Sequence, residues 1–474
     1  MKAVCDRFLP AKCSSSSACE KCDKSSTSLV SDLASRDNES ELTLCPYVSA
    51  PSSSDSQSYR EASTSEHKPD CTTHNGWTVI LNTASMASGA IKRFQERVLG
   101  PSRTGISSLT SEIWLLGVCY KTSEGESSEE ADSGRVLTAF KQDFSSLILM
   151  TYRRGFEPIG DTTYTSDVNW GCMLRSSQML FAQSLLFQRL GRSWRKKESE
   201  PPEQEYLEIL ELFGDSEASA FSIHNLILAG ESYGLAAGSW VGPYAVCRSW
   251  ESLARKKRGE TAVKHHSFSM AVHIVSGSED GERGGAPILC IEDVTKSCLG
   301  YSEGKAEWTP VLLLVPLVLG LDKVNPRYLP SLTATFTFPQ SLGILGGKPG
   351  ASTYIVGVQE DKGFYLDPHD VQQVVTVNKE NQDVDTSSYH CNTIRHVPLE
   401  SLDPSLALGF FCRDKDDFDD FCIRATKLAG DSNGAPLFTV TQSHRTSDCE
   451  IAETSTVAYT EISGEEHEDE WQLL

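Results

Sequence analysis

Cys172 follows Trp-Gly in "TSDVNWGCMLRSSQMLFAQSLLFQRLG" (165–191), where apolar residues begin to recur at three- and four-residue steps. A thiol at a helix start meets unpaired N–H groups and the positive end of the helix dipole. Both favour the thiolate, which is the nucleophilic form. Asp167 or Asn169 is placed to cap that helix, and Gly171 to let a substrate backbone come close. A buried, inert cysteine is the commoner case, so Cys172 gains meaning only with a base. Of the 11 histidines, His67, His74, His444 and His467 lie in the terminal stretches, and His265 and His266 follow a basic loop. His273 sits on an alternating strand pattern. "FYLDPHD" is different, because Pro368 enforces an extended chain in which Asp367 and His369, two residues apart, face one side. A carboxylate on one ring nitrogen fixes the tautomer and leaves the other nitrogen for a thiol. Asp-x-His alone also describes many solvated turns. Joined to a helix-start cysteine, it makes a candidate Cys-His-Asp triad.

These residues need elements to hold them. "EIWLLGVCY" (112–120) has a strand pattern, and the segment 136–156 carries helical spacing at Phe140, Phe144, Leu147 and Ile148. A helix spans 173–190, with Met179, Ala182, Leu186 and Leu190 on one stripe and Gly191 as its stop. "FSIHNLILAGESYG" opens as a short helix initiated by serine. From Ser267 onward short apolar runs alternate with turn residues, among them "VLLLVPLVLG", "LGILGG", "TYIVGVQ" and "GFYLDPH". Helices followed by a run of strands predict an α+β fold.

Bulk properties narrow the function. The 474 residues carry a net charge of −22, which argues against nucleic-acid binding through a general field. The basic runs "RSWRKK" and "ARKKRG" are short, flanked by acids, and read as solvated ends. Residues 1–85 are rich in Ser, Thr and Cys and too poor in apolar residues to order themselves; 431–474 read as an acidic tail of the same kind. That leaves 106–430 as one catalytic-sized domain. The apolar run at 311–321 contains Pro316 and is too short to span a bilayer, so it reads as buried strand. Fifteen scattered cysteines without a secretory signal predict reduced thiols in the cytoplasm. Cys5, Cys13, Cys19 and Cys22 lack the paired hairpin of a zinc knot, so a role for them stays open and no metal is expected.

Four blocks in this order, "YRRGFEPIG…TYTSDVNWGCMLRSSQMLFAQSL", "SWVGPYAV", "FPQSLGILGGKPGASTYIVG" and "YLDPHDVQ", resemble the autophagin family of autophagy-related cysteine peptidases. The resemblance runs over about residues 113–428, and the serine-rich head and acidic tail look like its plant branch. It implies a papain-like fold with a small extra subdomain, no cofactor, and a monomer. It also implies roles: Cys172 as nucleophile, His369 as general base and acid, Asp367 orienting the histidine, and Tyr152 aiding the oxyanion hole. Trp240 and the loop Lys348, Pro349, Gly350 and Ala351 correspond to two walls over the scissile bond. The implied substrate is a GABARAP-type ubiquitin-like modifier. It would be cut after its C-terminal glycine as the free precursor, or released from phosphatidylethanolamine, with membrane proximity only through the lipidated substrate. Where some members have a second cysteine, this chain has Ser176, and the Gly-rich insert 276–287 has no readable role.

Three further features accompany the triad. "EEHEDEWQLL" ends the chain with Trp471 and Leu474 at an aromatic-x-x-aliphatic spacing behind acids, a strand able to add to a modifier's sheet edge. "WTVI" and "YTEI" fit the same spacing by chance. "GAIKRFQERVLG" (89–100) reads as an amphipathic helix that packs on the domain or meets a membrane. Two rivals stand beside a peptidase: an adaptor that binds the modifier through Trp471/Leu474 with vestigial catalysis, and a papain-like enzyme of another amide chemistry.

Overall fold

The computed structural model describes residues 103–106, 111–122, 129–197, 200–261, 268–277, 285–299, 308–378 and 383–443. The expected head (1–85), the helix at 89–100, most of the insert 276–287 and the Trp471/Leu474 motif lie outside them. Among the described residues the helices are α1 Glu129–Ser145, α2 Cys172–Arg189, α3 Gln204–Glu211, α4 Ile223–Gly230, α5 Pro243–Thr261, α6 Ile291–Leu299, α7 Leu329–Thr335 and α8 Lys415–Gly430. None of these is long and apolar enough to cross a membrane.

The strands begin with β1 Arg103–Thr104, β2 Ile113–Leu115, β3 Val118–Tyr120 and β4 Tyr152–Arg154. After them come β5 Ala271–Ile274, β6 Ile288–Cys290, β7 Val311–Val318, β8 Ser341–Gly346, β9 Thr353–Gln359 and β10 Lys362–Leu366. The last are β11 Val371–Gln373, β12 Arg395–Pro398, β13 Ser405–Cys412 and β14 Thr439–Thr441. One large sheet runs in the order β1-β12-β10-β9-β8-β13-β7-β5, and β2 joins it against β9. Successive side chains on its strands enter opposite cores. Leu312 and Leu314 of β7 meet the core built with α1 to α5, while Val311, Leu313 and Val315 meet the one built with α6, α7 and α8. A sheet covered on both faces needs apolar residues at every position, which accounts for the unbroken run in β7. Pro316 lies past the last β5 partner of β7, Leu314, so its missing N–H removes no bond between those strands.

Most expected elements form, with three differences. Residues 112–120 make a hairpin rather than one strand. Leu116 and Gly117 turn with φ of 45° and 85°, a primed turn, and the Leu116 N–H is tied to the Val356 carbonyl at 3.1 Å. The helix around Phe140 and Phe144 stops at Ser145, and buried Leu147, Ile148, Leu149 and Met150 continue outside any helix toward β4. Their helix-like spacing arises because an irregular segment enclosed on all sides is apolar throughout. The chain also stays packed past Gly430. Leu437 and Phe438 are buried, and β14 pairs in parallel with β6, so the tail boundary expected at 431 moves to at least 443.

Candidate active site

Cys172 is the first residue of α2 and is fully buried. Gly171 occupies the N-cap position with no side-chain cap, so neither Asp167 nor Asn169 caps the helix. Asp167 is held elsewhere. Its Oδ1 accepts from the Arg153 N–H at 2.7 Å and from Arg175 Nη2 at 3.1 Å, and its Oδ2 from Arg175 Nε at 2.8 Å. Arg175 also reaches Asp215 Oδ1 at 2.7 Å, and all three side chains are buried. A carboxylate gains more from a buried guanidinium fork than from one backbone amide, and this outweighs the capping role. The result fastens the first turn of α2 to β4. A Cβ on Gly171 would stand 2.3 Å from Asp167 Oδ2, so the glycine makes room for this carboxylate, not for a substrate.

Asp367 and His369 follow β10 and meet each other, but across a turn at Pro368 and His369 rather than along the extended chain expected. His369 Nδ1 and Asp367 Oδ1 are 2.6 Å apart, and Asp367 Oδ1 also accepts the His369 N–H at 3.2 Å. Asp367 Oδ2 accepts from Arg395 Nη1 on β12 at 2.6 Å. Burial raises the Asp367 carboxyl, but His369 and Arg395 overcome it and bring it down to about 2. Burial lowers His369, and the partners Asp367 and Cys172 outweigh that and push it up to about 9. Burial raises the Cys172 thiol, whereas His369 and the amide and hydroxyl of Ser352 bring it down to about 7. His369 Nε2 is buried and interacts with the sulfur without an aligned hydrogen bond.

Tyr152 completes the enclosure. Its N–H donates to the Pro368 carbonyl at 2.8 Å, and β4 runs parallel to β11, so the Asp-Pro-His turn is zipped to the strand carrying the tyrosine. The rings of Tyr152 and His369 meet edge-on with centroids 5.4 Å apart. Burial, then Cys172, pushes the Tyr152 hydroxyl well above its ordinary value, and the oxygen has no hydrogen-bond partner. A protonated, unpartnered hydroxyl beside a nucleophile can donate to an oxyanion. Together these residues can perform nucleophilic acyl transfer: a thiolate, an imidazole fixed by a carboxylate, and a waiting donor.

The two expected walls are joined by one hydrogen bond. Trp240 lies three residues before Pro243, the first residue of α5 and a preferred helix-start residue. Lys348, Pro349, Gly350 and Ala351 form one turn between β8 and β9, closed by the Ala351 N–H on the Lys348 carbonyl at 2.9 Å. Pro349 at the second position and Gly350, with φ 75°, at the third make it type II. Gly347 enters the turn at φ 136°, and a Cβ there would stand 2.4 Å from the Ser352 Cα. Lys348 is held by Asp403 at 3.9 Å. Ala351 faces the core shared with α6 to α8, so its side chain is enclosed in that core. Trp240 Nε1–H donates to Ser352 Oγ at 3.1 Å, joining wall to turn. Ser352, Arg395 and Arg175 were not among the expected site residues. Ser352 stands one position past the turn, a nearness visible in the sequence; Arg395 and Arg175 reach the site through strand pairing and burial that leave no local signal.

A family model described as the peptidase C54 catalytic domain matches residues 137–424. The chain is 85% identical over 477 residues to "Cysteine protease ATG4b" of Arabidopsis thaliana, covering all of both chains. It is 72% identical over 474 residues to "Cysteine protease ATG4a" of the same plant, again across both in full. "Cysteine protease ATG4A" of Gallus gallus is 34% identical over 340 residues, 70% of this chain and 86% of that one. The matched span holds the thiol, the imidazole, the carboxylate and both walls, on a papain-like α+β frame. The chain belongs to the peptidase C54 family of cysteine proteases, the autophagins, and to its plant branch.

Proposed function

We propose that this cysteine protease cuts a GABARAP-type ubiquitin-like modifier after its C-terminal glycine, exposing that glycine for lipid conjugation. The same site hydrolyses the amide between the glycine and phosphatidylethanolamine and returns the modifier. The Cys172 thiolate attacks the glycine carbonyl, and the oxyanion is met by the Tyr152 hydroxyl and the Cys172 N–H. His369, protonated and held by Asp367, gives its proton to the departing amine. The thioester is then hydrolysed by water that His369 deprotonates. Peptide amine and lipid amine leave by the same step, so one site serves both substrates.

The observation that supports this reading best is the buried Cys172 with His369 held by Asp367, together with the hydrogen bond that bridges Trp240 and Ser352. A slot under such a bridge excludes any side chain at the cleaved residue, and exclusion selects glycine. The enzyme acts in the cytoplasm as a monomer, with residues 106–443 as the catalytic body and Trp471/Leu474 as a second contact on the modifier. An adaptor with idle catalysis has no need of a fixed histidine and a lowered thiol. The test is the purified chain with lipidated modifier on liposomes, beside ubiquitin and other ubiquitin-like amides. Release of the GABARAP-type modifier alone is the expected outcome; equal cleavage of ubiquitin, or no release, contradicts it.

A further inference from the structure

Three strand ends meet beside the Lys348–Ala351 turn. Gly346, the last residue of β8, pairs with Leu406 of β13, and Ser405 of β13 pairs with Val318, the last of β7. This register brings the turn after β8, the approach to β13 and the loop after β7 to one end of the sheet. The loop and the approach are joined. The Leu319 N–H donates to the Pro404 carbonyl at 2.9 Å, and the Asn325 N–H closes the loop on the Leu319 carbonyl at 2.8 Å. Asp403 is fixed in this base, because its Oδ1 accepts the Ser405 N–H at 2.9 Å. Its Oδ2 faces Lys348 Nζ at 3.9 Å, and the same ammonium donates to the Asp322 carbonyl at 3.4 Å. At its other end the turn is held by the Trp240 indole N–H on Ser352 Oγ. The helix α2, which begins at Cys172, packs on β8 and β9, the strands this turn joins.

We propose that Asp403, with the Asp322 carbonyl, latches the Lys348 ammonium and so fixes how far the turn stands from Trp240. Asp403 is then a positioning residue for the choice of glycine at the cleaved position. The inference rests on reading Trp240 and this turn as walls over the scissile bond. A glycine passes with the latch closed. A larger residue must push the turn off its tie and loses the energy of that tie, which adds to the selection against it. The size of the effect follows from exposure. The Lys348 side chain is 48% exposed and that of Asp403 13%, so water reaches the cation, and the pair is modest and sensitive to salt.

The test gives the full chain two tagged forms of a GABARAP-type modifier, with glycine or alanine at the cleaved position. The ratio of their kcat/KM values is read. Asp403→Asn keeps an acceptor for the Ser405 N–H and loses the charge, and lowers the glycine preference about two- to fivefold. Lys348→Met, which keeps the stem and loses both contacts, lowers it at least as much. The double variant matches Lys348→Met, because both changes break one tie. Salt at about 1 M lowers the preference of the unaltered chain and leaves that of Lys348→Met unmoved. A loss of stability alone moves none of these ratios. An unchanged ratio in Asp403→Asn, losses that multiply in the double variant, or an equal response to salt in both chains overturns the latch. Where the unaltered chain leaves the alanine form uncut, its cutting by Asp403→Asn supports the latch, and continued refusal overturns it. If the glycine form itself stays uncut, the functional reading falls and the latch with it. If it is cut and the Asp403→Asn ratio stays, the latch alone falls.

Discussion

Burial alone keeps a thiol protonated. Cys247 is buried with no such partners, and burial pushes it up to about 12, while Cys172 is just as enclosed and sits at about 7. The difference comes from an imidazolium beside the sulfur and the Ser352 donors, not from solvent. Because His369 is raised to about 9, thiolate and imidazolium coexist between these limits. Activity should therefore rise with pH as the pair loses its first proton near 7. It should fall near 9 as the imidazolium loses the proton it gives to the leaving amine. A kcat/KM profile on a peptide amide reads both limbs. A profile still climbing past pH 10 contradicts this pairing. At this scale much was legible: Cys172 at a helix start and the pairing of Asp367 with His369 follow from local spacing, though a turn and not an extended chain brings those two together. Arg395 was not, since it meets Asp367 only because β12 lies against β10.

The element that positions the thiol is α2, and what fixes α2 is the buried Asp167–Arg175–Asp215 group. Removing the guanidinium leaves two enclosed carboxylates without the cation that pairs with both, and with only the more distant Arg153 to balance them. Arg175→Ala should cost about 3–5 kcal/mol of stability. Urea unfolding checks this, and a loss under about 1 kcal/mol would mean that the ion group is not what anchors the helix start. The sequence misdirects here for a physical reason. An aspartate just before a helix has the signature of a cap, and only the fold reveals a better partner in Arg175, one turn inside. Similar limits explain the hairpin at 113–120, where Leu116 takes a left-handed turn that its residue type disfavours. They also explain the early end of α1, because an apolar stripe cannot distinguish a helix from an enclosed irregular segment.

For the molecule as a whole, the long apolar strands and the order of helices then strands made an α+β frame readable, and the short β6–β14 pair was not. Leu437 and Phe438 carry too little pattern to foretell burial after a polar turn. In the proposed function the acidic C-terminal motif belongs to this scale, as a second contact on the modifier. Replacing Trp471 and Leu474 with alanine should raise KM for the modifier severalfold and leave kcat unchanged, as for a contact that contributes binding alone. Steady-state kinetics on a tagged precursor decide it, and an equal fall in kcat would place the motif's effect in the chemical step. The most direct measurement of all is mass spectrometry of a C-terminally tagged GABARAP-type modifier after incubation with this chain. The account predicts a single cut after the glycine, a transient acyl adduct on Cys172, and no product from Cys172→Ala. An uncut modifier, or equal cutting by Cys172→Ala, contradicts it.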